Sequence, residues 1–337
     1  MKKLLLCIFT GTFLVACGGS SSNDDNTQTV PVPVPLPVPD PMPDPDPMPD
    51  PDPTPDPDPT PDPGPTPDPG PTDPSQIHDV VPNVDYNNAQ GIIDSIDFEN
   101  QQNGEYTSSM FNSDFNNEWG SVTGRANIIT MNGSNKLAVT HPKDTYKEGI
   151  SAGKELNEYN ELYFSYQINF GKDYDFSMGG KIPGLAGLNP NVDKKPDGCS
   201  TVGEDEGFSL RSMFRENGRA IGYFYHQDKT KTCGDEIDYQ HEGKNFSFKR
   251  EKTYLIEQYV KMNDAHQANG IVTIHVNGFK VLERKNMTFS ESGIHAINYQ
   301  FTQLWHGGND DKWAVDRDST AYLDHFTLSS KPLSFSK

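Results

Sequence analysis

The sequence predicts an all-β protein built as a two-sheet sandwich, from two kinds of signal. Leu162–Phe170 alternates apolar and polar residues with a period of two, which suits a strand with one buried face. Ile271–Val276 runs into Asn277-Gly278, a strong signal for a tight hairpin, and the chain returns through Phe279–Leu282. No long segment has the apolar spacing of a helix, so many short strands joined by turns favour a β-sandwich. Three further segments have the same strand pattern: Tyr254–Met262, Ile297–Leu304 and Ala321–Leu328.

The chain divides into three parts, because its prolines are concentrated in one region. Of the 28 prolines, 22 lie between Pro31 and Pro74, at nearly every second position. Proline fixes φ and disfavours the helical conformation of the preceding residue, so this stretch is expected to be extended polyproline II. We predict a signal peptide at 1–16, a disordered Pro/Asp-rich tether at 17–75 and one β-sandwich domain at 76–337.

The first residues resemble the signal of a bacterial lipoprotein. Met1-Lys2-Lys3 is a short basic start, and the apolar stretch Leu4–Val15 is too short to span a membrane. The stretch ends in Leu14-Val15-Ala16-Cys17, which resembles the lipobox of such proteins; the alternative is an ordinary signal peptide with an incidental cysteine. The resemblance implies that Cys17 is lipidated and that the anchor is the only membrane contact. It places the domain in the cell envelope, at the outer membrane and outside the cytoplasm.

Charge and cysteine content narrow the functional classes. The formal net charge is −20, which argues against nonspecific binding of nucleic acid but leaves room for a local cationic cleft. After Cys7 leaves with the signal and Cys17 is acylated, Cys199 and Cys233 remain, and a disulfide between them is expected in an exported protein. The histidines lack the close ligand pairs of a zinc site, so no metal is expected, and no cofactor is predicted.

Three segments of the domain carry side chains that could meet a ligand. The first has glycines and a proline around a lysine, which give the backbone an unusual path. In the second, a serine and an arginine share one face of a strand, and in the third, two tyrosines do the same. Each segment has an ordinary alternative: a surface turn, a solvated strand face and half-buried packing. The candidate residues are Lys181, Ser209, Arg211, Tyr223 and Tyr225.

Together these segments resemble family 14 polysaccharide lyases, which are alginate lyases with a β-jelly-roll, concanavalin-like fold. The resemblance covers roughly residues 95–330 and rests on Gly-Gly-Lys-x-Pro-Gly-Leu, Ser-x-Arg-x-Met, Tyr-x-Tyr and the strand Gln258–Asn263. It implies that the five candidate residues surround the scissile uronate. We further predict substrate contacts from Gln258, Lys261 and His306, whereas Asn189–Glu206 looks like a loop peculiar to this protein.

The chemistry of β-elimination accounts for this set. Loss of the C5 proton of a uronate places charge on the C6 carboxylate. Arg211 can grip that carboxylate with two donors, and Lys181 can assist. Tyr223 or Tyr225 is favoured as base or acid because adjacent cations should lower a tyrosine pKa; Lys181 as the base is the alternative. Without a visible His-Asp relay, Ser209 is expected to hold substrate or orient Arg211.

The predicted function is therefore cleavage of an acidic polysaccharide, most simply alginate, by a monomeric enzyme. A lyase for glucuronan or another polyuronate is one alternative. Another is a noncatalytic carbohydrate-binding lipoprotein of the cell surface, because the same fold serves both purposes. A structural or adhesive surface protein would require the candidate set to be a coincidence. The sequence leaves open which uronate is preferred and whether cleavage is endo or exo.

The hairpin between the arginine and tyrosine strands tests whether the site can form. A two-residue turn at Asn217-Gly218 would put Arg211 on the face opposite to both tyrosines. A three-residue loop at 217–219 would instead pair Arg211 with Tyr225 and Met213 with Tyr223 on one face. We therefore predict an odd-length loop or a one-residue bulge. The same register brings the two remaining cysteines together at the open end of the hairpin.

Overall fold

The structure, a computed structural model, describes residues 77–122, 124–192, 195–333 and 335–336. The predicted signal peptide, the lipidated Cys17 and the Pro/Asp-rich tether lie outside the described residues and stay predictions. None of the described helices is long and apolar enough to cross a membrane.

Two large antiparallel sheets confirm the predicted all-β sandwich. In spatial order, the seven-stranded sheet contains β12 (Asp235–Asp238), β11 (Ala220–Tyr225), β10 (Gly207–Arg215), β9 (Gly179–Leu188), β18 (Ile297–His306), β7 (Gly149–Tyr159) and β4 (Trp119–Ser121). The nine-stranded sheet contains β17 (Phe279–Met287), β16 (Gly270–Val276), β15 (Thr253–Lys261), β8 (Glu161–Phe170), β19 (Ser319–Ser329), β6 (Ser134–His141), β5 (Ala126–Met131) and β3 (Gly104–Glu105), with β2 (Ile92–Ile96) paired to β19.

Short elements complete the described domain. β1 (Asn83–Val84) pairs with β20 (Phe335–Ser336), and β13 (Gln240–His241) pairs with β14 (Lys244–Asn245). The helix α1 (Ser108–Phe115) begins after Thr107, whose side chain accepts a hydrogen bond from the Met110 N–H, and ends at Asn116 in the left-handed conformation. Two 3₁₀ turns lie at Glu216–Gly218 and Asp311–Trp313.

The core lies between the two large sheets, where the period-two pattern turns one set of side chains inward. On β8 the inward residues alternate with half-exposed or polar ones, and they meet apolar side chains from the seven-stranded sheet. Burying each such side chain contributes on the order of 2 kcal/mol. The inward residues of β8 are Leu162, Phe164, Tyr166, Ile168 and Phe170, and those of β10 are Phe208, Leu210 and Phe214.

The hairpin between β10 and β11 has the odd-length loop that the site requires. The Arg215 N–H donates to the Arg219 carbonyl at 2.7 Å and closes a three-residue turn in which Asn217 and Gly218 both have positive φ. The loop is thus 216–218 rather than the predicted 217–219. Arg211 consequently pairs with Tyr223, not Tyr225. The predicted odd length of the loop is confirmed. The predicted register is wrong, because the loop begins one residue earlier than predicted.

A bulge in β9 decides which way Lys181 points. Arg211 pairs with Gly184 whereas Ser212 pairs with Ile182, so Pro183 is an extra residue without a partner on β10. The bulge shifts the alternation, because Ile182 and Leu185 both face the core although three positions separate them. Lys181 therefore lies on the opposite face. The lysine segment, which looked like a loop in the sequence, is the interior of a strand.

Candidate active site

The candidate residues lie on the face of the seven-stranded sheet that turns away from the core, called the site face below. Arg211 on β10 pairs directly with Tyr223 on β11, and Ser209 pairs with Tyr225. Lys181 on β9 pairs with Met213 of β10. Because paired residues share a face of a sheet, three neighbouring strands bring the two cations and the two tyrosines together.

The bulge that exposes Lys181 is held from the opposite sheet. The side chain of Gln258 accepts a hydrogen bond from the Leu185 N–H at 2.9 Å and donates to the Leu210 carbonyl at 2.8 Å. These contacts satisfy backbone groups beside the irregular pairing, which would otherwise be buried without partners. A Cβ at Gly184 would collide with the Leu210 carbonyl, so the close approach of the two strands requires glycine there.

Arg211 is a buried cation with unused donors. It is 2% exposed, and its Nη1 donates to the Gln303 Oε1 at 3.3 Å. Its Nε and Nη2 have no hydrogen-bond partner among the described residues. Burial lowers the pKa of Arg211, and the charge of Asp197 opposes this effect. Since a guanidinium stays protonated in proteins, two aligned donors are available for an anion.

Lys181 has the electrostatics of a base. Its Nζ lies 4.1 Å from the centre of the Trp305 ring and 5.9 Å from that of Tyr223. Burial, followed by the charges of Arg211 and Arg215, lowers the pKa of Lys181 to about 7. A large fraction of the amine is therefore neutral near neutral pH.

The two tyrosine hydroxyls lie 3.3 Å apart. Burial, followed by the hydrogen bond with Tyr225, raises the pKa of Tyr223 to about 12. The expectation that neighbouring cations would lower the pKa of this tyrosine is wrong, because desolvation outweighs them. Tyr223 is thus a protonated donor at neutral pH.

A loop covers the end of the site face next to Ser209. The Ser209 hydroxyl donates to the Pro196 carbonyl at 2.6 Å, and the Cys199 N–H donates to the Tyr225 hydroxyl at 2.9 Å. Cys199 is joined to Cys233 by a disulfide in the structure. The serine therefore forms its hydrogen bond with this loop and not with Arg211. The expected role in which Ser209 orients Arg211 would have required the second contact.

The structure corrects three predicted substrate contacts. Gln258 is buried between the sheets, where it holds the bulge. Lys261 follows Val260, which is in the core, so it lies on the far face of the nine-stranded sheet. His306 turns toward the core, where its Nε2 contacts the Asp175 carbonyl at 2.7 Å and its ring stacks on Tyr174. None of the three reaches the site face.

Strand β18 supplies site residues that the sequence analysis missed. Phe301, Gln303 and Trp305 alternate along it on the site face, and the Phe301 ring centre lies 5.2 Å from the Arg211 guanidinium. The period-two pattern at 297–304 contained this signal, because it places the odd-numbered residues on one face. The pattern alone did not tell which face carries the site. Among the described residues, no group of three or more His, Cys, Asp or Glu side chains could hold a metal ion.

Comparisons with known proteins agree with this architecture. The family model of polysaccharide lyase 14 matches residues 128–326. The structure of the alginate lyase Aly36B has a TM-score of 0.61 at 25% identity, over 71% of this chain and 97% of that one. The PL-14 alginate lyase from Aplysia kurodai has a TM-score of 0.60 at 20% identity, over 71% of this chain and 99% of that one.

A curated relative is much longer than the matched region. Exolysin of Paramecium bursaria Chlorella virus 1 is 26% identical in an alignment of 220 positions, which covers 56% of this chain and 32% of exolysin. The chain thus spans about a third of the length of this relative. The family model, in contrast, covers more than half of the chain and includes every candidate residue of the site face. The chain therefore belongs to the polysaccharide lyase 14 family.

Proposed function

We propose that this protein is an alginate lyase that cleaves its substrate by β-elimination. Family membership and the alginate lyases among its structural neighbours support the substrate class. The observation that carries the proposal is the buried Arg211 with two unused donors, between the lysine and the tyrosine pair. Such a cluster fits a uronate carboxylate next to a proton acceptor and a proton donor.

In the reaction, a base removes the C5 proton of the uronate. The electrons of the C5–H bond form a C4–C5 double bond, the C4–O bond breaks, and the leaving oxygen takes a proton. Negative charge develops on the C6 carboxylate before the bond to oxygen breaks. Arg211 stabilises this charge through two parallel hydrogen bonds from a site that is shielded from water, where such bonds are strong.

Lys181 is the proposed base and Tyr223 the proposed acid. A base must be unprotonated before the reaction, and burial gives Lys181 a pKa of about 7. An acid must be protonated, and the pKa of Tyr223 is raised to about 12. Opposite shifts of two neighbouring groups are the arrangement by which one site performs both proton transfers.

The test is incubation of the full chain with alginate, polymannuronate, polyguluronate and glucuronan. The unsaturated uronate at the new chain end absorbs ultraviolet light, so absorbance follows bond cleavage directly. We expect a rise with alginate and with at least one of its two homopolymers. A rise with glucuronan alone would move the protein to the glucuronan lyases. No rise with any polymer, combined with binding to alginate, would replace the lyase by a carbohydrate-binding protein.

We also propose that the enzyme is held at the cell envelope by a lipid on Cys17. Leu14-Val15-Ala16-Cys17 supports lipidation, and a proline-rich segment of this length could extend on the order of 135 Å. Labelling cells with a radioactive fatty acid should label the protein, and Cys17→Ala should abolish the label. Unchanged labelling of Cys17→Ala would contradict the anchor.

A further inference from the structure

Two loops meet over the tyrosine pair, and the disulfide joins them. One is the segment 189–206, which precedes β10, and the other is the 226–234 connection between β11 and β12. Cys199 belongs to the first loop and Cys233 to the second. The bond thus connects two stretches of chain that lie beside the tyrosine pair on the site face.

Each bonded cysteine brings a stretch of backbone against the tyrosine pair. The Cys199 N–H itself donates to Tyr225 at 2.9 Å. Gly234, the residue after Cys233, lies directly against the rings of Tyr223 and Tyr225. The two hydroxyls, in turn, are hydrogen-bonded to each other. One disulfide therefore joins the two backbone segments that contact the hydrogen-bonded tyrosine pair.

The contact at Gly234 is tight. A Cβ at this position would lie 2.8 Å from the Tyr225 ring, which is closer than real Cβ atoms approach, and 3.1 Å from the Tyr223 ring, which is tighter than most real Cβ contacts. Only glycine lets the backbone lie against both rings. A purely structural disulfide would not require its neighbouring backbone to contact two candidate catalytic side chains.

We propose that the Cys199–Cys233 disulfide is a positioning device, a clamp that holds the Cys199 N–H on the hydroxyl of Tyr225 and the backbone of Gly234 against the rings of Tyr223 and Tyr225. The inference rests on the proposed function of the same site, because it assigns the clamp to the proton donor of the reaction. With the bond broken, the loops separate and the hydroxyls lose a fixed direction. Misplacement of a reacting group by about 1 Å costs on the order of 10²-fold in rate.

The experiment compares the full chain with its Cys199→Ser/Cys233→Ser variant. We expect kcat on alginate to fall by about 10- to 100-fold, with little change in KM, because Arg211, which contacts the substrate carboxylate, lies within strand β10 and not in either of the bonded loops. Lys231→Ala, in the same loop but with an exposed side chain, is the matched control and should retain full activity. A lower melting temperature with kcat unchanged at a temperature where both proteins are folded would overturn the proposal.

Two further measurements test the clamp if the double cysteine variant does not fold or if the protein does not cleave alginate. Gly234→Ala keeps the disulfide but pushes a methyl into both rings, so it should lower kcat in the same way, and a wild-type kcat would overturn the clamp. Hydrogen exchange of the Cys199 amide needs no substrate. On nitrogen-15 cysteine-labelled protein, we expect exchange to accelerate in Tyr225→Phe and after reduction by dithiothreitol, and to slow again on reoxidation. Equal exchange in all these states would overturn the clamp, whereas the proposed function fails separately if the wild type cleaves none of the polymers.

Discussion

The ammonium nitrogen of Lys181 lies 4.1 Å from the centre of the Trp305 ring, on the face of the sheet that also carries Arg211. Lys181 is partly buried in this position, and the cations Arg211 and Arg215 lie nearby. Burial, followed by the charges of Arg211 and Arg215, favours the neutral amine, which explains why the pKa of Lys181 falls to about 7. The bulge at Pro183 creates this environment, because regular alternation would have placed Lys181 on the same face as the core residue Leu185.

The first prediction follows from that pKa. If Lys181 is the base, only its neutral form reacts, so kcat/KM should rise about tenfold per pH unit below pH 7 and level off above it. Lys181→Ala should lower kcat by about 10²-fold or more. Lys181→Arg should not restore activity, because a guanidinium does not lose its proton in proteins. The measurement is a pH series of initial rates on alginate.

Lys261→Ala is the control for this series. The sequence analysis predicted that Lys261 binds substrate, whereas the structure places it on the far face of the other sheet. Its replacement should leave kcat and KM unchanged. A profile that stays flat through pH 7, or an active Lys181→Ala enzyme, would remove the lysine from the role of base.

The second prediction concerns the unused donors of Arg211. Arg211→Ala should lower kcat/KM by about 10²-fold or more, which is the usual cost of deleting a donor to a developing oxyanion. Arg211→Lys should recover little, because an ammonium cannot replace the planar fork. Arg284→Ala, an exposed arginine on the nine-stranded sheet, should behave as the wild type. Near-normal turnover of Arg211→Ala, with an unchanged circular dichroism spectrum, would exclude the arginine from the mechanism.

The strand pattern and the resemblance together predicted the fold and the four central side chains. Both signals come from short stretches of sequence. Alternation identifies a strand, and the Ser-x-Arg and Tyr-x-Tyr spacings put both residues of each motif on one face of their strand. The parity of the hairpin loop also followed, because an even loop would have separated Arg211 from the tyrosines. The exact turn at 216–218 did not follow, since it depends on which residues adopt positive φ.

The sequence could not show which side chains contact the opposite sheet. Gln258 matches a motif of the family, yet its amide points inward and holds the bulge from the opposite sheet. His306 was expected to contact substrate, but the alternation of β18 turns it to the core. The face of a strand that meets the ligand is a property of tertiary packing, which a single segment does not encode. The raised pKa of Tyr223 is a second such property, because it follows from burial.

The third prediction separates the two tyrosines. Tyr223→Phe keeps the ring and loses the proposed proton donor, so kcat should fall by about 10²-fold or more while KM changes little. Tyr225→Phe should cause a smaller loss, because its hydroxyl orients that of Tyr223 and accepts from Cys199. Tyr322→Phe, on the far face of the nine-stranded sheet, is the control. If both site variants keep wild-type turnover, the leaving oxygen receives its proton from another group.

The last prediction concerns stability, and it starts from a buried carboxyl far from the site face. Glu257 on β15 is 5% exposed, and its Oε2 accepts a hydrogen bond from the Leu333 N–H at 2.8 Å. Burial raises its pKa to about 7 from an ordinary value of 4.5, and the hydrogen bond opposes the shift. Between these two pH values the folded protein keeps a proton that the unfolded chain has released. The free energy of unfolding therefore decreases as the pH rises from about 4.5 to 7, and the full penalty is present above pH 7.

Glu257→Gln removes the charge and keeps an oxygen that can accept from Leu333. The variant should be more stable than the wild type above pH 7 by up to ~3 kcal/mol, because a pKa shift of this size corresponds to that order of free energy. The difference should shrink as the pH falls from 7 and disappear below about 4.5, where the wild-type carboxyl is protonated in both states. Urea unfolding at several pH values measures it, with Glu158→Gln, an exposed carboxylate on β7, as the control. A stability difference between Glu257→Gln and the wild type that is the same at pH 5 and pH 8 would mean that Glu257 is not the group whose burial costs the fold this energy.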